Sequence, residues 1–517
     1  MPMTLDLLGQ AMKELPSNLP CKCIKVGAVR WHTEAERLRA AGGRLLTVWG
    51  ADDRDRDGRF RIYAAFLLKD GVVVFEHEME DGQEPTYPSL AEIFPCALHM
   101  ERAVHDLFGI ASMEPDHRGW LRHGGWPRTV FPLRRDFGGS QQFSIDSQPY
   151  PFVQVEGDGV HEIAVGPVHA GTIEPGHFRF SVVGEKVLRL EERLGYTHKG
   201  VSKRFEEMLQ KEGHRLAARL SGDSAVAFSW AYCAALEAIT KVSCPPRAAN
   251  LRALALEHER LANHLGDLGA LGNDAGFAFG LTQFSRMKED LLRANVVAFG
   301  ARYLFDYLQP GGVATDLLEN ATRLLLDHYV VLEDGVSCLR AIYDNHAGLQ
   351  DRFREAGILK QELAERLGAI GLAGRASGIP LDLRVDHAWS PYDVLKPNLV
   401  TQSAGDVAAR VQVRFDEVFE SLRLCRMLLE ALVSGPILTD CSVAEPGRLG
   451  LGLIEAWRGP VLIALESGAS GTIRRCHAHD PSWQNWPLLE YAILGNIVPD
   501  FPLINKSFNL SYSGHDG

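Results

Sequence analysis

The chain reads as an α+β protein, with a small N-terminal α+β domain followed by a mainly α-helical bundle domain that opens on a β-hairpin. Three observations predict this. Within residues 20–80 the runs RLLTVWGA, FRIYAAFLL and VVVFEHEME are rich in Val, Phe, Tyr and Ile and are separated by Asp/Gly turns, as strands of a meander are. Residues 137–160, GGSQQFSIDSQPYPFVQVEGDGVH, have the Gly, Ser, Gln and Pro content of a linker. Beyond residue 161 one strand-rich stretch gives way to long segments with apolar residues three and four apart. The expected division is residues 1–140, a linker at 141–160, and residues 161–517.

At 517 residues and 46% apolar content the chain is too long for one ordinary core and has ample material for two or three. Its start, MPMTLDLLGQAMKELPSN, reads as a short amphipathic helix carrying Asp6 and Glu14, without the basic and apolar regions of a secretory signal. The turn DDRDRDGRF imitates a calcium loop at Asp53, Asp55, Asp57 and Gly58, but Ala64 stands where the bidentate Glu belongs, so a hairpin turn is expected. PSLAEIFPCALHMERAVHDLFGI has helical spacing and ends near Gly109. After the hairpin HEIAVGPVHAGTIEPGHFRFSVVGEKVLRLEERLGYTHKG, helices are expected over about 204–240, 247–270, 282–308, 315–343, 359–367 and 404–434.

The balance of 66 acidic against 54 basic residues gives −12, spread without a long block of one sign, which argues against nucleic acid as a partner. No run of 18 uncharged apolar residues occurs, and the best, Ser224 to Leu236, is too short to span a bilayer. Any membrane connection is therefore expected through partners. The nine cysteines are scattered, with only Cys21 and Cys23 close together, so neither a disulfide framework nor an iron–sulfur signature is present. Buried, reduced thiols fit a reducing, cytosolic compartment.

ERAVHDLFGI followed by FPLRRDF resembles the signature of the 30 kDa-type subunit of respiratory complex I. GPVHAGTIEPGHFRF and LGYTHKG, then EHERLANHL (257–265), GGVATDL (311–317), RASGIPLDLRVDH (375–387), GDVAARVQVR (405–414) and EAWRGPVL (455–462), resemble the 49 kDa-type subunit. They also resemble the related large subunit of membrane-bound, energy-converting (group 4, formate hydrogenlyase-like) nickel–iron hydrogenases. Fusion of both subunit types in one chain points to the hydrogenase-like branch.

In those hydrogenases an RxCGxC helix start and a terminal CxxC supply four thiolates to nickel and iron. Here the matching positions hold Ser221, Ser224, Ser511 and Gly514, and a hydroxyl is a poor soft-metal ligand. The chain also stops at Gly517, without the tail that an active hydrogenase usually loses after metal insertion. No metal and no cofactor bound by this chain are expected.

Complex I has also lost these cysteines, and its cavity is similar to a quinone headgroup pocket beside a partner's terminal iron–sulfur cluster. The resemblance implies a possible quinone near His169, His177 and Asp223 as polar groups, although each histidine also reads as a turn histidine satisfied by backbone. The tyrosine that pairs with the hairpin histidine in complex I has no obvious counterpart, because RLSGDSAV has none and Tyr232 lies about two turns along. Glu259, Arg286, Asp382, Arg384 and Asp406 fall inside family-like motifs as candidates for a proton or conformational relay, with Glu259 first; structural ion pairs are the plainer role.

Other chemistries fit less well. GDSAV with His515 and Asp516 imitates a serine esterase, but the block opens a helix and the acid does not precede the histidine. His258 and Glu259 are followed by His264 six residues after the first histidine, too far for a zinc peptidase face, and HAHD at 477–480 offers an isolated pair. No GxGxxG lies between a strand and a helix, so NAD, if involved, binds another subunit.

Two readings of function follow. In the first, the chain is a peripheral-arm, electron-accepting subunit of a membrane-bound complex I-like oxidoreductase coupled to ion translocation. Its expected partners are an iron–sulfur small subunit, a ferredoxin-like subunit and antiporter-like and other integral membrane subunits, at the cytoplasmic face of the inner membrane. In the second, it is a non-redox scaffold linking an iron–sulfur protein to ion-translocating membrane subunits.

Overall fold

The computed structural model describes residues 12–80, 84–114, 116–139, 141–144 and 149–517. Strands Arg44–Asp53, Arg59–Leu68 and Gly71–Glu80 form the expected antiparallel meander, and Cys21–Lys25 adds alongside Gly71–Glu80 in parallel. The amphipathic helix expected at the start does not extend into the described residues: Lys13–Glu14 is an edge strand paired with Cys23 and Lys22, and residues 1–11 lie outside the description.

The near-continuous apolar character of these strands has a direct cause. Side chains alternate across a strand, so Val73 and Phe75 join the core beneath helices Ala28–Ala40 and Ala97–Phe108. Val72 and Val74 face the other way, into a second core with Leu451, Leu453 and Leu462. Both faces of the meander are covered. Helix Ala97–Phe108 ends as read, at Gly109 with φ 69°, its N–H bonded to His105 O. The aspartate-rich turn is a hairpin whose Gly58 has φ 75°. Its carboxylates are taken by arginine: Asp53 and Asp57 by Arg61, and Asp53 and Asp55 by Arg474 from the far end of the chain.

The second half opens with an antiparallel sheet of Val160–Val165, His177–Val183 and Lys186–Arg193, with His177–Val183 in the middle. The helical part contains Ala225–Thr240, Pro246–Asp274, Ala278–Phe299, Glu319–Asn345 and Val407–Glu430. The stretch expected as helix over 204–240 is broken into Val201–Phe205, Gly213–Ala217 and Ala225–Thr240. The last break is a tight turn closed by Ser224 N–H to Ser221 O at 3.0 Å. The helix expected to reach 308 ends at Phe299, where Gly300 adopts φ 81°.

One element escapes the sequence reading: an antiparallel sheet of Leu449–Ala456, Gly459–Ser467 and Ile473–His479. It is wedged between the N-terminal meander and helix Ala225–Thr240. Gly452 permits this, since a Cβ there would stand 1.8 Å from Ala231 O. Thr47 Oγ1 meets His477 Nε2 at 2.9 Å across the same contact, and Trp49 stacks on His477 at 5.3 Å. Among the described residues no helix is long and apolar enough to cross a membrane.

Candidate functional site

The two slots singled out in the sequence come together. Ser221 lies in the turn before helix Ala225–Thr240, and Ser511 caps the terminal helix Tyr512–Asp516; their Oγ atoms are 2.8 Å apart. Ser511 Oγ also accepts Gly514 N–H at 2.8 Å, and Ser221 Oγ donates to Asp223 Oδ1 at 2.7 Å. The tail is held firmly. Glu174 of the hairpin loop accepts Ser513 N–H at 3.0 Å, and Asp516 accepts Gly195 N–H and Thr197 N–H, each at 2.9 Å.

Asp223 is bound by Arg458, whose Nη1 is 2.7 Å from Asp223 Oδ1, while Trp457 Nε1 and Asn263 Nδ2 each donate to Asp223 O at 2.8 Å. Burial raises the Asp223 carboxyl, but the Arg458 guanidinium outweighs it and holds the group below the usual carboxylate range. Glu259, on helix Pro246–Asp274, accepts Val226 N–H at 2.6 Å and Ala227 N–H at 3.2 Å, so it caps the N-terminus of helix Ala225–Thr240. Burial pushes its carboxyl up to about 8 against the opposing effect of those amides.

The nickel–iron group of the resembling hydrogenases does not fit this donor set. Hydroxyls of Ser221 and Ser511 are consumed by each other and by neighbours, and Asp223 is neutralised by arginine. Gly514 is further constrained: a Cβ there would stand 2.5 Å from Asp480 Oδ2 and 2.9 Å from Ser511 Oγ. Asp480 occupies the space a fourth ligand side chain would need. Its Oδ1 is fixed by Ser482 N–H at 2.8 Å, and Oδ2 has no partner among the described residues.

The hairpin places its two histidines on different sides. His169 sits edge-on to Phe178 at 5.5 Å and tilted against Tyr512 at 6.3 Å, next to the serine pair. Its Nδ1 is 3.2 Å from Pro167 O, and its buried Nε2 has no partner among the described residues. Tyr512 also packs against Trp486 at 4.8 Å, with its hydroxyl buried and free of a well-formed hydrogen bond. Gly176 makes room for that ring, because a Cβ would lie 2.5 Å from Tyr512 Cε1. His177 is one residue out of phase with Phe178 on the strand and points to the opposite face, 5.1 Å from Phe152, with Nδ1 3.3 Å from Gly166 O. Burial lowers its imidazole.

Tyr512 is the functional candidate that the sequence did not reveal. It lies 287 residues beyond Ala225, where the RLSGDSAV helix starts, and no local spacing links it to His169. Among the charged candidates, Asp382 and Arg384 belong to a buried network. Arg384 meets Glu257 at 3.0 Å and Asp382 at 2.7 Å; Arg375 meets Glu417 at 2.6 Å and Glu455 at 3.0 Å; His264 Nε2 meets Glu417 at 2.7 Å. Arg286 is instead a surface partner of Asp290, and Asp406 caps helix Val407–Glu430 by accepting Ala409 N–H at 2.8 Å.

The competing chemistries do not assemble. His515 stacks on Trp483 at 3.9 Å and receives Trp120 Nε1–H on Nε2 at 3.4 Å rather than a serine hydroxyl. His258 is bound by Asn295 at 2.6 Å and by Tyr329, and His479 by Gln484 at 2.9 Å. Among the described residues no group of three or more His, Cys, Asp or Glu is arranged to hold a metal ion.

Comparison with known proteins agrees with this architecture. The family model of the respiratory-chain NADH dehydrogenase 30 kDa subunit matches residues 24–143, and that of the 49 kDa subunit matches residues 274–450. Formate hydrogenlyase subunit 5 of Escherichia coli (strain K12) is 32% identical over 487 residues, covering 92% of this chain and 85% of its own. Hydrogenase-4 component G of the same organism is 30% identical over 481 residues, covering 92% and 84%. A chain of the membrane-bound sulfane sulfur reductase, an archaeal respiratory membrane complex, shares the fold at TM-score 0.66 and 24% identity, over 69% of this chain and 99% of that one. The chain belongs to the family of fused 30 kDa- and 49 kDa-type complex I subunits of the group 4 hydrogenase-like branch, the family of formate hydrogenlyase subunit 5 and hydrogenase-4 component G.

Proposed function

We propose that this chain is a peripheral-arm, electron-accepting subunit of a membrane-bound complex I-like oxidoreductase. Electrons from an iron–sulfur cluster in a partner subunit pass to a small, quinone-like acceptor beside His169 and Tyr512. The observation that carries this reading is the His169–Tyr512 contact at 6.3 Å, with His169 Nε2 and Tyr512 Oη both lacking a well-formed hydrogen bond next to the former metal slot. Reducing a quinone to a quinol takes up two electrons and two protons. Burial raises the Tyr512 hydroxyl above the usual phenol range, so it stays protonated and can donate a hydrogen bond to an acceptor carbonyl. The imidazole of His169 is proposed to pass protons to the acceptor.

The names of the relatives support membership of such an assembly: a formate hydrogenlyase, a hydrogenase-4 and a respiratory membrane complex. The proposed partners are an iron–sulfur small subunit, a ferredoxin-like subunit and antiporter-like membrane subunits on the cytoplasmic face, coupled to ion translocation. The test is to purify the complex, confirm by elemental analysis that it lacks nickel, and titrate a quinone analogue. Saturable binding that Tyr512→Phe weakens supports the proposal; absence of binding favours the non-redox scaffold.

A further inference from the structure

A cavity of about 950 Å³ opens on the other face of the hairpin from His169. It is walled by the loop at 116–131, the segment at 149–152 and the strands carrying His177, Arg179 and Arg193. Its size is within the range of small-molecule sites. Five arginines line it: Arg118, Arg122, Arg128, Arg179 and Arg193.

The two carboxylates in the lining do not balance them. Asp106 Oδ2 is occupied by the N–H groups of Trp120, Leu121 and Arg122 at 2.6, 2.7 and 3.1 Å. Asp116 is held by Arg118 at 2.7 Å, and Arg118 is further paired with Glu191 at 2.6 Å. Arg179 pairs with Glu162 at 3.0 Å on the rim.

Three cations remain without a carboxylate among the described residues. Among the described residues the Arg122 guanidinium reaches only Trp126 O, at 3.3 Å, and Arg128 has no hydrogen-bond or ion-pair partner. Arg193, only 4% exposed, donates to Trp120 O and lies over Tyr150 at 4.4 Å. Asp106 acts on Arg193 only through space, and a buried guanidinium without a paired carboxylate is unfavourable unless something supplies the charge. His177, 9% exposed, adds a buried Nε2 with no partner among the described residues. The rings of Phe131, Tyr150, Phe152 and Tyr196 form apolar faces around these groups.

We propose that this cavity binds a small organic oxyanion, a phosphate or carboxylate on a flat apolar body, with the anionic group between Arg193, Arg122 and Arg128 and the body against Tyr150 and Phe152. The guanidinium fork matches both oxyanions, and His177 Nε2 can donate to a further oxygen when protonated. The site is separate from the His169–Tyr512 pair, so it does not depend on the electron-acceptor reading.

The experiment is calorimetric titration of the full-length chain with phenyl phosphate and, separately, benzoate. At least one is expected to bind saturably, with Arg193→Gln weakening it at least about tenfold, as loss of a charge-assisted hydrogen bond predicts. Because Arg193 is buried, the double variant Arg122→Ala/Arg128→Ala, on more accessible side chains, is measured in parallel and is expected to weaken binding similarly. Absence of binding by both probes, or binding unchanged in the double variant, overturns the proposal. So does saturation by a glutamate-rich peptide without response to either small anion, which would make the cavity a docking surface for a partner segment.

Discussion

Ser221 Oγ and Ser511 Oγ, 290 residues apart in the chain, are 2.8 Å from each other. The arrangement that brings a helix start and a chain terminus together is thus kept, with a hydroxyl pair in place of soft-metal ligands. The space around that pair is filled, with Arg458 on Asp223 and Asp480 against Gly514.

Gly514 is the most sensitive position of the slot. Gly514→Ala is expected to destabilise the chain by about 1–3 kcal/mol, the usual range for overpacking, because its Cβ would meet Asp480 Oδ2 at 2.5 Å. Adding Asp480→Ser should recover most of the loss. Urea denaturation of both variants checks this, and a double variant no more stable than Gly514→Ala would contradict it.

Arg458→Gln leaves Asp223 without its counter-ion and removes the bond to Asn509 O. A loss of about 2 kcal/mol is expected, less than for a fully buried pair because 37% of the Asp223 side chain is accessible. Adding Asp223→Asn should cost little more, as a double-mutant cycle by chemical denaturation would reveal.

Glu417 lies between Arg375 and His264 in the buried network, with both contacts under 3 Å. Glu417→Gln is expected to cost about 3–5 kcal/mol, since it leaves buried cations uncompensated. Calorimetric melting should place it well below Arg286→Gln, whose surface pair with Asp290 contributes about 0–1 kcal/mol.

The helix cap at Glu259 gives a pH dependence of definite sign. Its folded carboxyl, pushed up to about 8 by burial, keeps a proton that the unfolded chain, at about 4.3, releases. This contribution to stability is complete below about pH 4 and is lost as pH rises toward 8. Glu259→Gln does not titrate there, so the melting temperature of the wild-type chain relative to that variant should fall between pH 5 and pH 8.5. A difference constant over that window would contradict the assignment.

The sequence made the meander, the Gly109 cap and the major helices readable because their signals are local: alternation, capping and three-to-four spacing. It hid the sheet of Leu449–Ser467 and its neighbour because Gly450 and Gly452 weaken the strand pattern, and their reason is a helix that packs on them from another part of the chain. The site was half legible. Ser221, Ser224, Ser511 and Gly514 stood out as substituted ligand positions, and all four are linked by hydrogen bonds to one another or to Asp223. The separation of His169 from His177 follows from strand phase once the strand's first residue is known, and Tyr512 reaches His169 only through the tertiary path of the tail.

The central claim is that His169 passes protons to, and Tyr512 hydrogen-bonds, an acceptor reduced beside the Ser221–Ser511 pair. The direct measurement is quinone-reductase turnover of the assembled, nickel-free complex carrying His169→Gln or Tyr512→Phe, with subunit content verified by gel and mass analysis. The account predicts that kcat falls by about 10²–10³-fold in each variant, within the range for loss of a proton-transfer group at His169 and of a hydrogen-bond donor at Tyr512, while assembly is unchanged. Wild-type turnover retained in both variants, or no quinone turnover in the intact complex, would contradict it.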